Sequence, residues 1–378
     1  MRAYLDNAAT TPMAPEVIEV MTNVMKDNFG NPSSQHSFGR ESKAIIEHAR
    51  RKVARLINAE SKEIIFTSGG TEADNLAIHA AIDDLGVTRI ITSAIEHHAV
   101  GHTVTAQSKA KVHYVNLTPT GRVDIDHLEE LLKSSNEKTL VSLMHANNEI
   151  GTLLDVRKVG NLCKTYGAYF HSDTVQTMGH YAVNIHDPEI HFVTCAAHKF
   201  HGPKGIGFLY VNKNLKFTPA IHGGSQERGL RGGTENLAGI AGLAKALELA
   251  NENIEEHQQY VQGLKSYMID QLQKRIPGVG FHGEIDPRKS LYTVLNVKFP
   301  DFEHKAMFLF LLDLEGVACS GGSACTSGAS TGSHVLEGIK AETRKPNARF
   351  SFSRYTTKAE IDFALEKIEK VLHIKSLS

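Results

Sequence analysis

From Glu63 to about Val211, short apolar runs alternate with amphipathic stretches. That rhythm marks repeated βα units wound around a mainly parallel sheet. It predicts seven strands, at 63–66, 89–92, 111–115, 139–144, 168–171, 191–194 and 207–211, with helices between them such as 71–84 and 156–166. The period then changes. Over 235–276, apolar positions such as Leu243, Ala246, Leu247 and Ala250 recur at helical spacing, which predicts one long helical connector. Beyond it come a strand at 291–299, a helix at 305–314, a run of small residues, a strand at 348–352 and a terminal helix from Lys358. The expected class is α/β: a large sheet-centred domain followed by a smaller α+β lobe.

The 378 residues are 41% hydrophobic, which suffices for a buried core and is long for one domain. Forty-one Lys and Arg against 42 Asp and Glu leave a net charge of -1. No strong field favours nucleic acid or an anionic membrane, so a small-molecule substrate is expected. No apolar run approaches the ~20 residues of a membrane helix. The opening residues resemble neither a signal segment nor a basic amphipathic leader, so a cytoplasmic chain is expected. The sequence stops soon after the terminal helix, so a docking extension is expected to be short or absent. Four cysteines, Cys163, Cys195, Cys319 and Cys325, are too few and scattered for a disulfide framework. The 21 histidines include no His-Glu-x-x-His, and no Cys-x-x-Cys accompanies them, so no metal is expected.

Chemistry enters at His198-Lys199, between a predicted strand and the Gly-rich turn Gly202-Pro-Lys-Gly-Ile-Gly207. A lysine just past a strand end suits Schiff-base chemistry if partial desolvation lowers its pKa. Taken alone, a solvated lysine is the commoner case. Asp173, at the end of the preceding strand, could keep a pyridine nitrogen protonated, and Gln176 could bond a ring's phenolic oxygen. An Asp at a strand end is otherwise an ordinary helix cap. In Thr67-Ser-Gly-Gly-Thr-Glu72 a strand passes into a helix through two glycines, and backbone N–H groups with the Thr71 hydroxyl form an anion site suited to a phosphate. Each signal is common. Their combination in this order is not.

The ordered motifs Tyr4-Leu-Asp-Asn-Ala-Ala-Thr-Thr-Pro12, Gly30-Asn-Pro-Ser-Ser34, Ser68-Gly-Gly-Thr-Glu72, Glu96-His97 and Asn147-Asn-Glu-Ile-Gly151 span the first half of the chain. Asp173-x-x-Gln176, His198-Lys199, Gly229-Leu-Arg-Gly-Gly-Thr234, Gly322-Ser-Ala-Cys-Thr-Ser327 and Arg349-Phe-Ser351 continue them. With these the chain resembles, over essentially its whole length, the cysteine desulfurases of the NifS/IscS type, class V enzymes of the fold-type I pyridoxal-phosphate group. The resemblance implies a PLP-dependent transferase fold, with residues 13–250 as the large cofactor-binding domain. Residues 1–12 and 251–378 would form the small domain carrying a catalytic cysteine loop at about 318–334.

By the same resemblance Lys199 would hold pyridoxal 5'-phosphate through its amine, Asp173 would pair with the pyridine nitrogen, and Gln176 would contact the phenolic oxygen. His97 would stack on the ring and transfer protons. Gly70, Thr71 and His198 would grip the phosphate, with Thr234 reaching in from the second subunit of a homodimer. Asn148 would lie beside cofactor and substrate, and Arg349 would clamp the substrate carboxylate. One departure is Ala196, where many relatives carry a phosphate-binding serine; Thr194 is a candidate substitute.

Cys325 decides among the reactions such a cofactor supports. A thiolate that attacks the sulfur of bound L-cysteine leaves alanine and a persulfide on the enzyme. The small residues of 320–333 read either as a surface linker or as a shuttle that carries the thiol between cofactor and acceptor. A free thiol of pKa ~8.5 is only a few per cent ionised at neutral pH, so its proton is expected to pass to His97 or to the bound substrate adduct. Cys319 is a resolving thiol or a small apolar residue at a strand end. The acceptor implied is an iron–sulfur scaffold or another sulfur carrier. The alternatives are a selenocysteine lyase or other class V lyase or aminotransferase, and a silent adaptor that binds a sulfur-transfer partner. Lys199, Asp173, His97 and Cys325 together argue against the last.

Overall fold

The computed structural model describes residues 1–186, 190–321 and 332–373. Cys325, and with it the reading of 322–331 as a shuttle, lies outside the described residues.

After a two-residue strand β1 (Ala3–Tyr4), the chain lays down β2 (Ile64–Thr67), β3 (Arg89–Thr92), β4 (Lys111–Tyr114), β5 (Thr139–Ser142), β6 (Tyr169–Asp173), β7 (Phe192–Ala196) and β8 (Gly207–Val211). These last seven form one sheet in the order β2-β8-β7-β6-β5-β3-β4. The α/β class with a mainly parallel seven-stranded sheet is thus the observed one. Only β8 runs against its neighbours. The reason is local: the turn between β7 and β8 is too short for the helical crossover that a parallel partner requires. Strands β2, β3, β5, β7 and β8 are buried along their length, which is why they read as continuous runs such as Ile64-Ile-Phe66 rather than as alternation.

The predicted connector over 235–276 is two helices, Leu237–Glu252 and Ile254–Arg275. Asn253, at φ -136 and ψ 44, interrupts them; its side chain competes with helical hydrogen bonds and favours helix ends. The helix expected at 305–314 likewise resolves into a turn, Lys305–Met307, and a helix, Phe308–Leu314.

A second sheet combines β9 (Gly280–His282), β10 (Val294–Lys298) and, after β11 (Val317–Ala318), β12 (Asn347–Ser351), in the antiparallel order β12-β10-β9. The chain's start pairs with this region, β1 lying parallel to β11. Ala3 and Leu5 accordingly join an apolar cluster with Met268, Phe299, Phe350 and Leu365, separate from the cluster of Phe66, Val141, Phe170 and Phe208 at the large sheet. Among the described residues, no helix is long and apolar enough to cross a membrane.

Candidate active site

In an open parallel sheet, ligands gather beyond the carboxyl ends of the strands, where loops diverge. Here β6 ends at Asp173, β7 runs into a short 3-10 turn, Ala197–Lys199, and β2 turns into the helix Gly70–Asp83. One cavity of about 220 Å³ collects the result: Gly70, Thr71, His97, Asn148, Asp173, Gln176, His198, Lys199 and Arg349 all line it. Nine residues proposed from the sequence therefore meet in one place. Thr234 does not; it is exposed and borders a different hollow with Phe66 and Arg231.

The turn into the Gly70–Asp83 helix depends on its glycines. Gly69 has φ 154, a conformation open to glycine, and a Cβ on Gly70 would sit 2.8 Å from Val175 Cγ2. This brings the first backbone N–H groups of the helix, which have no partner within it, against the cavity, as an anion requires. The downstream motif is tied to the same turn, because Arg231 bonds Glu72 at 2.8 Å while Glu72 accepts from the Ser68 N–H.

The role of the N-terminal motif was not legible beforehand. The segment Asp6–Pro12 folds across the lysine: Lys199 Nζ donates to the carbonyls of Ala8 and Ala9 at 2.6 and 2.9 Å, and Thr11 bonds the His198 carbonyl. Gln176 Nε2 donates to Ala8 as well, at 3.1 Å. His198 Nδ1 lies 3.1 Å from Thr10 Oγ1.

His97 caps the helix His98–Ala106, its Nδ1 accepting the Ala99 N–H at 3.2 Å. In the neutral ring the proton therefore sits on Nε2. Burial, and then the charge of Lys199, push His97 down to about 4, so it is neutral at pH 7. Burial, then the nearby Asp74 carboxyl, raise Asp173 to about 7, opposed by the Val175 N–H bonded to its Oδ1 at 2.8 Å.

Arg349, on β12, is 1% exposed and spends its terminal nitrogens on Asp6 Oδ1 and the Asn148 carbonyl, at 2.8 and 2.9 Å. Its Nε has no hydrogen-bond partner among the described residues. Ser320 also donates to Asp6 Oδ1 at 2.8 Å. Asp6, which the sequence reading passed over, thus occupies a guanidinium expected to meet a substrate carboxylate. Thr194 does not replace the missing serine: it is fully buried, with Oγ1 3.2 Å from His171 Nε2. Cys319 packs half-buried against the small-lobe cluster, where burial and Asp6 push its thiol up.

The donor set fits pyridoxal phosphate: a carboxyl for the ring nitrogen, an amine for the aldehyde, a glycine-lined helix start for the phosphate. A lysine and an aspartate so placed on this sheet define a fold-type I pyridoxal-phosphate enzyme. Residues 3–363 match the family Aminotransferase class-V. Cysteine desulfurase IscS of Dictyoglomus turgidum is 44% identical over 376 residues, covering 98% of this chain and 94% of that protein. Putative cysteine desulfurase IscS 1 of Bacillus subtilis is 42% identical over 379 residues, 98% of each chain. Among solved structures, a NifS-like protein superposes with a TM-score of 0.90 at 35% identity, covering 98% of this chain and 99% of that one. Another, described as SspA in complex with cysteine, gives 0.80 at 30% identity over 94% of this chain and all of that one (100%). The chain belongs to the class-V aminotransferase family and, within it, to the pyridoxal-phosphate-dependent cysteine desulfurases.

The buried titrating groups predict a pH profile of stability. Burial pushes His97, His145, His171, His180, His198 and His282 down to about 4 and His201 to about 3. Burial also raises Asp74 and Glu96 to about 8 and Asp173 to about 7. Between pH ~4 and ~6.5 the unfolded chain binds protons on seven imidazoles that the fold keeps neutral, while the fold keeps protons on three carboxyls that the unfolded chain releases. Seven outweigh three, so stability rises with pH and the imidazole contribution is complete above ~6.5. Past that point the carboxyls favour a decline, opposed by one proton of Lys265, which burial lowers to about 7. The melting temperature of the cofactor-free chain should climb steeply from pH 4 to 6.5 and then level or fall slightly by pH 8. A continued climb above 6.5 in calorimetry would contradict this balance.

Proposed function

We propose that this chain takes sulfur from L-cysteine onto Cys325, releasing L-alanine, with Lys199, His97, Asp173 and Arg349 as the working groups around the cofactor. One observation carries the reading: an amine, an imidazole, a carboxyl and a guanidinium line the same cavity. Bound pyridoxal phosphate supplies an electron sink that loosens bonds at the substrate's α- and β-carbons. Asp173 would hold the ring nitrogen protonated, Gln176 would bond the phenolic oxygen, and Gly70, Thr71 and His198 would hold the phosphate. Lys199 would hold the cofactor and move protons at the α-carbon. His97 would lie beside the ring and offer its Nε2 proton, and Asn148 would order the substrate beside it.

In the sulfur step the Cys325 thiolate forms an S–S bond with the substrate sulfur as the Cβ–S bond breaks. The electron pair stays on carbon, which takes up a proton and leaves as alanine. The persulfide then passes to a protein acceptor, an iron–sulfur scaffold or another sulfur carrier. The exposed Thr234 and the exposed apolar side chains of Ile18, Met25, Phe29 and Phe38 support a homodimer in which Thr234 completes the phosphate site of the second subunit. The separate apolar clusters support a division into residues 13–250 and 1–12 with 251–378.

Incubation with cysteine should give one alanine per persulfide formed on Cys325, read by mass spectrometry. Alanine from selenocysteine alone, with cysteine inert, would favour the lyase reading instead. Arg349→Lys should raise KM for cysteine about tenfold with a smaller change in kcat, because an ammonium cannot make the two-pronged carboxylate bond. An unchanged KM would remove Arg349 from substrate binding.

A further inference from the structure

Asp74 is a buried carboxyl that these roles leave unused. It lies early in the Gly70–Asp83 helix, is 1% exposed and lines the cavity. Strand geometry explains what it meets. His171 and Asp173 are two residues apart on β6, so their side chains share a face, and the Gly70–Asp83 helix packs on that strand and on β7. His171 is fixed from both sides: Ser142 Oγ of β5 lies 2.8 Å from its Nδ1 and Thr194 Oγ1 of β7 lies 3.2 Å from its Nε2. Asp74 Oδ1 comes within 3.3 Å of the same Nε2, yet this oxygen has no aligned hydrogen bond among the described residues.

Asp74, His97 and Asp173 each place one oxygen or nitrogen within 4.8 Å of the others'. The titratable groups that face the two carboxyls among the described residues are His171 on β6, Cys195 on β7, Glu96 and His97 ahead of the His98–Ala106 helix, and Lys199 after β7. Two carboxyls this close in the interior do not both ionise near neutral pH. Asp173 has the stronger hold on the charge, because a backbone N–H donates to it. Among the described residues, Asp74 receives the Thr194 hydroxyl and no backbone N–H. Its Oδ1, 3.3 Å from His171 Nε2, has no aligned donor among the described residues, so this carboxyl is better accommodated neutral than charged.

We propose that Asp74 is a positioning residue that holds the proton of this pair, remaining a neutral acid beside His171 and so reserving the negative charge for Asp173. The consequence for a ring nitrogen rests on the cofactor reading above; the placement of the proton belongs to the chain alone. The amide of Asp74→Asn has the shape and neutrality of the protonated acid, so it should substitute for it, whereas Asp74→Leu leaves the Thr194 hydroxyl without that acceptor and the wall beside Asp173 without a polar group.

Infrared difference spectra of the full chain at pH 7, with cofactor bound and after its removal, test the assignment. The C=O band of a protonated carboxyl, measured over the constant contribution of Glu96, should be present in the wild type and in Asp173→Asn and lost in Asp74→Asn. Cofactor affinity should stay within about threefold of wild type in Asp74→Asn and fall more than about tenfold in Asp74→Leu. A band that survives in Asp74→Asn and vanishes in Asp173→Asn overturns the proposal. So does a loss of affinity of about tenfold or more in Asp74→Asn, the effect of deleting an anion. If Asp74→Leu does not fold, the two asparagine variants decide. A wild-type chain that binds no cofactor would instead sink the cofactor reading and leave the infrared result to judge the proton.

Discussion

Cys325→Ala should leave the cofactor's absorbance intact and abolish alanine formation from cysteine, with a loss of turnover on the order of 10³-fold or more, as when a covalent nucleophile is removed. None of the other three cysteines can take its place. Cys163 and Cys195 are fully buried in the large sheet's surroundings, where burial pushes both thiols far up and keeps them protonated. Cys319 is packed against the small-lobe cluster with its thiol raised as well. No described cysteine lines the cavity. The cofactor contacts assigned to Asp173, Gln176, His198 and Lys199 do not involve residue 325, so binding and turnover separate cleanly in this variant. Persulfide on any other cysteine, or alanine formed at more than about a hundredth of the wild-type rate, would refute the assignment.

How far the sequence foretold this site depends on distance along the chain. The strands at 89–92 and 207–211 have the bounds expected, because apolar runs between turn residues specify fully buried strands directly. Asp173, His198 and Lys199 were legible because their motifs sit at strand ends, where a parallel sheet delivers side chains to one edge. The groups that were missed act across long separations. Asp6 meets Arg349 from the other end of the chain, a pairing set up by β1 lying on β11. Asp74 reads as an ordinary helical residue until the helix is laid on β6 and brings it to His171. Thr194 was weighed as a phosphate ligand, but strand alternation and the Asp173–Thr194 register turn it toward that same histidine. Asn253 hid in a helical period that it interrupts, since periodicity counts apolar positions and is blind to one polar residue that prefers a helix end.

Lys199→Ala should remove the covalent hold on the cofactor and with it nearly all activity. In the present structure Nζ rests on the Ala8 and Ala9 carbonyls, positioned by a turn whose backbone is itself held through Thr11. Nucleophilic attack on an aldehyde requires this amine in its neutral form. Alanine at 199 leaves Asp173, Gln176 and the glycine-lined helix start unchanged, so noncovalent binding survives while the covalent bond cannot form. Borohydride should then fix cofactor to the wild-type chain and none to the variant, read as the presence or absence of the added mass after denaturation. Turnover should fall on the order of 10³-fold or more, because the same amine also moves the α-proton. Borohydride labelling of the variant at another lysine, with activity kept, would mean that residue 199 is not the anchor.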